Sequence, residues 1–332
     1  MQVPLNVPWL LEYVDAVNAE LQELYPPPGS TALERAAADA LSVGGKRVRA
    51  TLALLWCEVY SGEYKPAVPL AAAYELAHAS ALVQDDIIDH SETRRGEKSI
   101  ATKYGLTTAI LASDLLLFNV PREVAKYQNL ESVRLARIFD LVGEACRATT
   151  WGEFLDMEMA GGMEGTEKDY EDMIRLKTST LLSAPCVSGA LVGGASEEQA
   201  VLAGRFGEEL GMAYQIQDDA LDLVGDETTL GKPVFTDLRG GKKSVILLHC
   251  LSRCSGEDRK FITGLLNRSE TYSPEEVAKL KGLIEEHGSL EYAKGRVMKY
   301  TDRARDVLGS APETAAKSRL LELTGYLASR YY

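Results

Sequence analysis

Two stretches carry carboxylates at a spacing that can do chemistry. In LVQDDIIDHSETRRGEKS, Asp85, Asp86 and Asp89 close an apolar run; in AYQIQDDALDLVGD, Asp218, Asp219 and Asp222 repeat the D-D-x-x-D pattern. On a helix, positions four apart share a face, so Asp85 with Asp89, and Asp218 with Asp222, each present two carboxylates to one point. Left bare, such pairs repel. A hard divalent cation resolves this: Mg²⁺ takes oxygen ligands at about 2.1 Å, keeps several waters, and is shared between a few carboxylates and substrate phosphates. An isolated D-D-x-x-D is the solvated end of a helix. Two copies, each ending a long apolar helix and each followed by cations, point instead to several Mg²⁺ ions around one diphosphate. The cations are Arg94 and Arg95 after the first cluster and Lys232, Lys242 and Lys243 after the second; basic side chains suit phosphate oxygens, Arg bidentately.

Other metal chemistries fit less well. Glu75 and His78 form an E-x-x-H, the spacing of di-iron helical bundles, but such a site needs a second copy. The residues three before His90, His249 and His287 are Ile87, Ile246 and Ile284. His249, Cys250 and Cys254 can meet on one helix without making a full ligand set. The five cysteines are odd in number and lack C-x-x-C spacing, which predicts reduced thiols rather than a disulfide framework.

The elements that must position these residues are helices. Apolar residues recur at helical spacing, as in Leu10, Val14, Val17 and Leu21 or Leu202, Phe206 and Leu210. Breakers separate the segments at Gly44-Gly45, Ser61-Gly62, Gly161-Gly162, Gly193-Gly194, Gly240-Gly241 and Ser273-Pro274. This predicts one all-α domain of about a dozen helices over residues 1–332, with a helix over about 69–89 and another over about 197–224. With 36 basic and 49 acidic residues the net charge is −13, which excludes general nucleic-acid or anionic-membrane binding and requires local cations for any anionic ligand. No apolar run reaches the roughly 18 residues of a membrane span, and the first residues lack a basic region or cleavage signal. The expectation is a cytoplasmic protein.

Taken together the motifs resemble those of trans-isoprenyl diphosphate synthases, the polyprenyl synthetase family, geranylgeranyl diphosphate synthases included. GGKRVRA (44–50) resembles the family's G-G-K-R-x-R-P, with Ala50 replacing proline; DDIIDHSETRRG and YQIQDDALDLVGDETTLGKP resemble its two aspartate-rich motifs, and LKTSTLL supplies a Lys-Thr pair. The resemblance implies a large helical bundle around a central cavity and, as a homodimer, condensation of isopentenyl diphosphate with an allylic diphosphate. It further implies that Asp85, Asp86, Asp89, Asp218, Asp219 and Asp222 bind three Mg²⁺, with Arg94, Lys177, Lys232 and either Lys242 or Lys243 on the allylic diphosphate. Lys46, Arg49, His78 and Arg95 would hold isopentenyl diphosphate, with Arg330 a further candidate, and Thr178 and Gln215 would face the reacting carbons. Two departures stand out. The family's G-Q-x-x-D segment reads Gly152, Glu153 and Asp156 here, and GGKKSVILL replaces G-K-x-T-L-P, leaving Lys242 and Lys243 open as alternatives.

Breaking an allylic carbon–oxygen bond leaves a negative diphosphate and a cationic fragment, which explains clustered cations, oxygen ligands and the absence of a base histidine beside the carboxylates. The product then needs an apolar tunnel. Family members that stop early carry a bulky aromatic five residues before the first aspartate; here that residue is Ser80, with Ala77 a turn further back and Ala81 beside it. Tyr74, about 16 Å down the helix, is the expected floor. Products of twenty carbons or more are therefore expected, geranylgeranyl or geranylfarnesyl diphosphate first, with chains of thirty or more as the alternative. A non-catalytic partner subunit would lack motif aspartates, and a terpene cyclase would replace the second D-D-x-x-D; neither fits this chain.

Overall fold

The computed structural model describes residues 8–25, 31–42, 45–162, 165–224, 235–266, 268 and 272–328. Helix is almost the only regular structure. In chain order the helices are α1 (Pro8–Leu24), α2 (Ala32–Ser42), α3 (Val48–Ser61), α4 (Val68–Ile88), α5 (Ile100–Tyr104), α6 (Leu106–Val124), α7 (Ser132–Ala160), α8 (Glu167–Ile174), α9 (Thr180–Val192) and α10 (Glu197–Val224). Four shorter or amphipathic helices and two long ones follow: α11 (Thr236–Arg239), α12 (Val245–Arg253), α13 (Gly256–Leu265), α14 (Pro274–Glu286), α15 (Ser289–Gly309) and α16 (Ala315–Ala328). Among the described residues the only strands are Thr93–Arg94 and Glu97–Lys98, paired antiparallel with Arg94 opposite Glu97.

The sequence places these elements for local reasons. α4 starts with Pro69 in its first turn, where a missing N–H costs nothing, and is apolar on all sides, so Leu70 to Ala77 are buried without a break. It lies at the centre, against α3 and α6. α8 and α14 each begin with a reciprocal capping box, Thr166 with Asp169 and Ser273 with Glu276. Small residues let α9 and α10 approach closely: a Cβ on Gly207 would stand 2.5 Å from the Leu182 carbonyl, and one on Gly211 2.5 Å from Ser179 Cα.

Apolar side chains gather in two cores. The larger joins α1–α7, α9, the first half of α10, the end of α15 and α16, and the smaller joins the end of α7, α8, the second half of α10, α11–α14 and the first part of α15. α10 crosses from one to the other, Leu210 packing in the first and Met212 in the second. Both aspartate clusters sit on helices near this seam.

Candidate active site

α4 ends at the first cluster, and the hairpin after it folds back over the carboxylates. Arg94 Nη2 lies 2.8 Å from Asp85 Oδ2 and its Nε 2.7 Å from Asp86 Oδ1. The turn between the two strands is tight, with positive φ at Arg95 (53°) and Gly96 (83°), the requirement of the mirror-image two-residue hairpin turn. Arg95 therefore leaves the strand on a different course from Arg94. Its guanidinium lies against Gly45, where a Cβ would stand 2.7 Å from its Nη1. The same left-handed conformation recurs at Arg47, His90 and Phe235, all beside the site, as expected where backbone strain is retained for function.

Arg95 joins a second basic group with Arg49 and His78. Burial pushes the His78 imidazole well below its ordinary pKa, and the charges of Arg49, Arg95, Arg94 and Arg47 push it further, so it stays neutral. The Arg49 Nε is buried and has no hydrogen-bond partner among the described residues. A buried donor left without a partner among clustered cations is suited to an anion. Lys46 lies at the rim, its ammonium 5.2 Å from the Tyr326 ring centre. Beneath the group, Glu75 accepts from Arg47 Nη1 at 2.9 Å and from the Ala50 amide at 3.3 Å, which anchors the start of α3. Glu75 is thus an ion-pair partner; a charged residue inside an apolar helix was the available signal for it.

The Lys-Thr pair sits on a widened helical turn, Arg175–Ser179, where the Thr180 amide reaches back five residues to the Arg175 carbonyl. The turn packs tightly on α7, since a Cβ on Gly152 would fall 2.3 Å from the Lys177 amide nitrogen. Lys177 Nζ lies 2.7 Å from both Glu153 Oε2 and Asp156 Oδ2 and 3.5 Å from Asp85 Oδ1. Burial disfavours its charge, yet Asp156, with Asp85 and Glu153, outweighs that and raises its pKa. Burial likewise pushes Glu153 up, with Lys177 pulling the other way. Asp85 is held below the usual carboxylate range: burial would raise it, but Lys177, Lys242 and Arg94 prevail. Burial raises Asp86 despite Arg94, with Asp85 and Asp89 adding to the rise.

Thr178 donates to Gln215 Oε1 (2.7 Å), Gln215 Nε2 donates to Asp219 Oδ1 (2.7 Å), and Tyr170 donates to Asp219 Oδ2 (2.6 Å). Tyr170, buried on α8, was not legible in the sequence, because nothing in its spacing ties it to the second cluster. Burial pushes the Asp219 carboxyl well above the carboxylate range, against these hydrogen bonds.

The second cluster divides its labour. Asp218 is half-exposed. Asp222 is buried and turned to the start of α11: Oδ1 accepts from the Thr236 amide (3.2 Å) and Oδ2 from the Asp237 amide (3.1 Å). Its helical spacing from Asp218 is as expected, but its oxygens serve backbone donors far along the chain. Asp237, absent from the expected site, lies in the field of Asp222, Asp219 and Asp218, and its carboxyl is raised by burial and by these neighbours.

Lys242 Nζ reaches Asp89 Oδ2 at 2.8 Å and lies 3.8 Å from Asp156, whereas Lys243 donates to the Met159 carbonyl. A cavity of about 200 Å³ opens here, lined by Asp89, Glu153, Asp156 and Lys242. Along α4, Ser80 is buried with its hydroxyl 2.9 Å from that of Ser113, Ala77 is buried, Ala81 is partly exposed, and Tyr74 is buried with its hydroxyl 2.9 Å from Ser188 Oγ. Lys232, Arg330 and Gly44 lie outside the described residues. His249 stacks on Tyr292 and bonds Ser289 rather than a thiol, and Cys250 and Cys254 remain free thiols.

The donors fit a hard cation, since the carboxylates at this seam offer oxygen only. Among the described residues no three carboxylate, imidazole or thiol side chains close on one point; Asp85, Asp86 and Asp89 are grouped around Arg94, Lys177 and Lys242.

Comparison with known proteins identifies the family. The sequence model of the Polyprenyl synthetase family matches residues 30–284. The short chain isoprenyl diphosphate synthase of Methanothermobacter thermautotrophicus is 32% identical over 97% of this chain and 97% of its own length. The geranylgeranyl diphosphate synthase of Sulfolobus acidocaldarius is 35% identical over 90% of this chain and 89% of its own. The crystal structure of geranylgeranyl pyrophosphate synthetase from Pyrococcus horikoshii superposes with a TM-score of 0.91 at 31% identity, over 97% of this chain and 98% of that one. The chain belongs to the polyprenyl synthetase family.

Proposed function

We propose that this protein is a trans-prenyltransferase that condenses isopentenyl diphosphate head to tail with an allylic diphosphate, giving an all-trans diphosphate of twenty carbons or more. The observation that carries the reading is the parting of Arg94 and Arg95. One cation faces the aspartates, Lys177 and Lys242; the other faces Arg49 and His78. Two anion sites, each taking one arginine of the pair, suit two diphosphate substrates.

Asp85, Asp89 and Asp218 would hold Mg²⁺, three ions by the family resemblance; bound there, the metal would neutralise the leaving diphosphate. Asp86, Asp219 and Asp222, which are buried where Asp85, Asp89 and Asp218 are more open, would orient that set. Arg94, Lys177 and Lys242, with Lys232, meet the allylic diphosphate and take up negative charge as its carbon–oxygen bond breaks. The oxygens of Thr178 and Gln215 face the allylic fragment and stabilise its positive charge. The double bond of isopentenyl diphosphate, held by Lys46, Arg49, His78 and Arg95, attacks that carbon. The released diphosphate takes the proton lost from the adduct, so no side-chain base is required. Ala81, Ala77 and Ser80 leave room for the growing chain, and Tyr74 closes it.

We read the chain as one domain, its two cores sharing α10, and as a cytoplasmic homodimer. No described helix is long and apolar enough to cross a membrane, and all five cysteines are free. Leu106, Ile110, Leu111 and Phe118 on α6, with Trp151 and Phe154 on α7, are exposed, an apolar face suited to a second copy. Labelled isopentenyl diphosphate incubated with dimethylallyl, geranyl or farnesyl diphosphate and Mg²⁺ tests the reading. Elongated diphosphates are expected; a hydrocarbon product, or none with any starter, overturns it.

A further inference from the structure

Glu153 has no part in the chemistry above, yet it sits 2.7 Å from the Lys177 ammonium. Lys177 has three N–H bonds. Glu153 and Asp156, one helical turn apart on α7, accept on one side, and the third direction is left toward Asp85, 3.5 Å away at the end of α4. Gly152 presses α7 onto the Lys177 backbone, so the carboxylates next to it meet the ammonium at close range. Both are largely buried, with 16% and 8% of their side chains exposed, so their charges are weakly screened. One acceptor beside Asp156 would suffice to aim the ammonium, and an amide would serve. A carboxylate does more, because it places a further negative charge beside the lysine that meets diphosphate.

We propose that Glu153 is a positioning residue with two effects: it directs the Lys177 ammonium toward the end of α4, and its charge loosens the hold on diphosphate there. This rests on the reading that Lys177 meets the allylic diphosphate. In an enzyme that repeats its condensation, a diphosphate that binds too firmly would slow each exchange of released diphosphate for the next substrate. Glu153 favours exchange at the expense of affinity.

The two effects separate by substitution. Glu153→Gln keeps an acceptor and removes the charge; Glu153→Ala removes both; Glu158→Gln, at an exposed position on the same helix, controls for net charge. Binding of inorganic diphosphate, measured by calorimetry with and without Mg²⁺, is expected to tighten at least threefold in Glu153→Gln and to stay unchanged in Glu158→Gln. In steady-state assays Glu153→Gln should lower the allylic KM at least threefold and lower kcat by up to about threefold, as slower exchange requires. Glu153→Ala should lower kcat at least tenfold while melting within a few degrees of wild type. Unchanged diphosphate affinity in Glu153→Gln overturns the charge effect, and equal kcat in the Gln and Ala variants overturns the positioning effect. If wild type elongates no prenyl diphosphate, the activity reading fails by itself, and the calorimetry still decides what Glu153 does to diphosphate.

Discussion

Lys242 donates to Asp89 across 153 positions of sequence, tying the segment after the second aspartate cluster to the last carboxylate of the first. Lys243, its neighbour, bonds the Met159 carbonyl at the end of α7. The two lysines should therefore separate experimentally. Lys242→Ala is expected to lower kcat/KM for the allylic substrate by about ten- to a hundredfold, the worth of one charged hydrogen bond. Lys243→Ala should keep activity within about threefold and lower the melting temperature instead. Steady-state kinetics with melting curves checks both, and an inactive Lys243→Ala beside an active Lys242→Ala would reverse the assignment.

Tyr170 holds Asp219, which holds Gln215, which accepts from Thr178. Tyr170→Phe leaves one buried carboxylate oxygen without its donor, at about 1–3 kcal/mol of stability. The change lies behind Thr178 and Gln215, which the proposed function places at the allylic carbon, so kcat should fall while KM for both diphosphates stays within about twofold. A rise in KM with unchanged kcat would remove Tyr170 from this role.

Tyr74 is fixed at its tip by Ser188 and packed on all sides. Tyr74→Ala should lengthen the products, read by chromatography of the dephosphorylated chains, at a stability cost of about 3–5 kcal/mol. Ser80→Phe, a turn and a half nearer the aspartates, should shorten them. Wild-type product length in both variants would place the floor elsewhere.

His78 gives a pH dependence of definite sign. Its folded pKa is depressed by burial and the surrounding arginines, whereas in the unfolded chain it takes up a proton near pH 6.5. Its contribution to stability is complete above about pH 6.5 and is lost as pH falls below it. The drop in melting temperature between pH 7.5 and 5.5 should be smaller in His78→Gln than in wild type. An equal drop in the two proteins would show that His78 is not its source.

The sequence already showed α4 and α10, because length, small apolar interiors and a well-placed proline leave little choice; the ends fall within a residue of expectation. The aspartate spacing and trailing cations were equally plain. Long-range capping was hidden. Asp222 shares its spacing with Asp218, but the amides of Thr236 and Asp237 that claim its oxygens belong to another helix, more than ten residues further along the chain. The widened turn at Lys177 depends on a bonding pattern that no residue type announces. Lys242 and Lys243 could not be told apart because neighbouring residues before a helix point to whichever partners the fold supplies.

The hairpin at Arg94 and Arg95 also acts as a ruler. Adjacent side chains on so tight a turn diverge by construction, and two identical cations are sorted to two destinations by backbone alone. Lengthening the loop by one residue would spare every charge and every carboxylate, yet it would shift the register that sends Arg94 to the aspartates and Arg95 to Gly45.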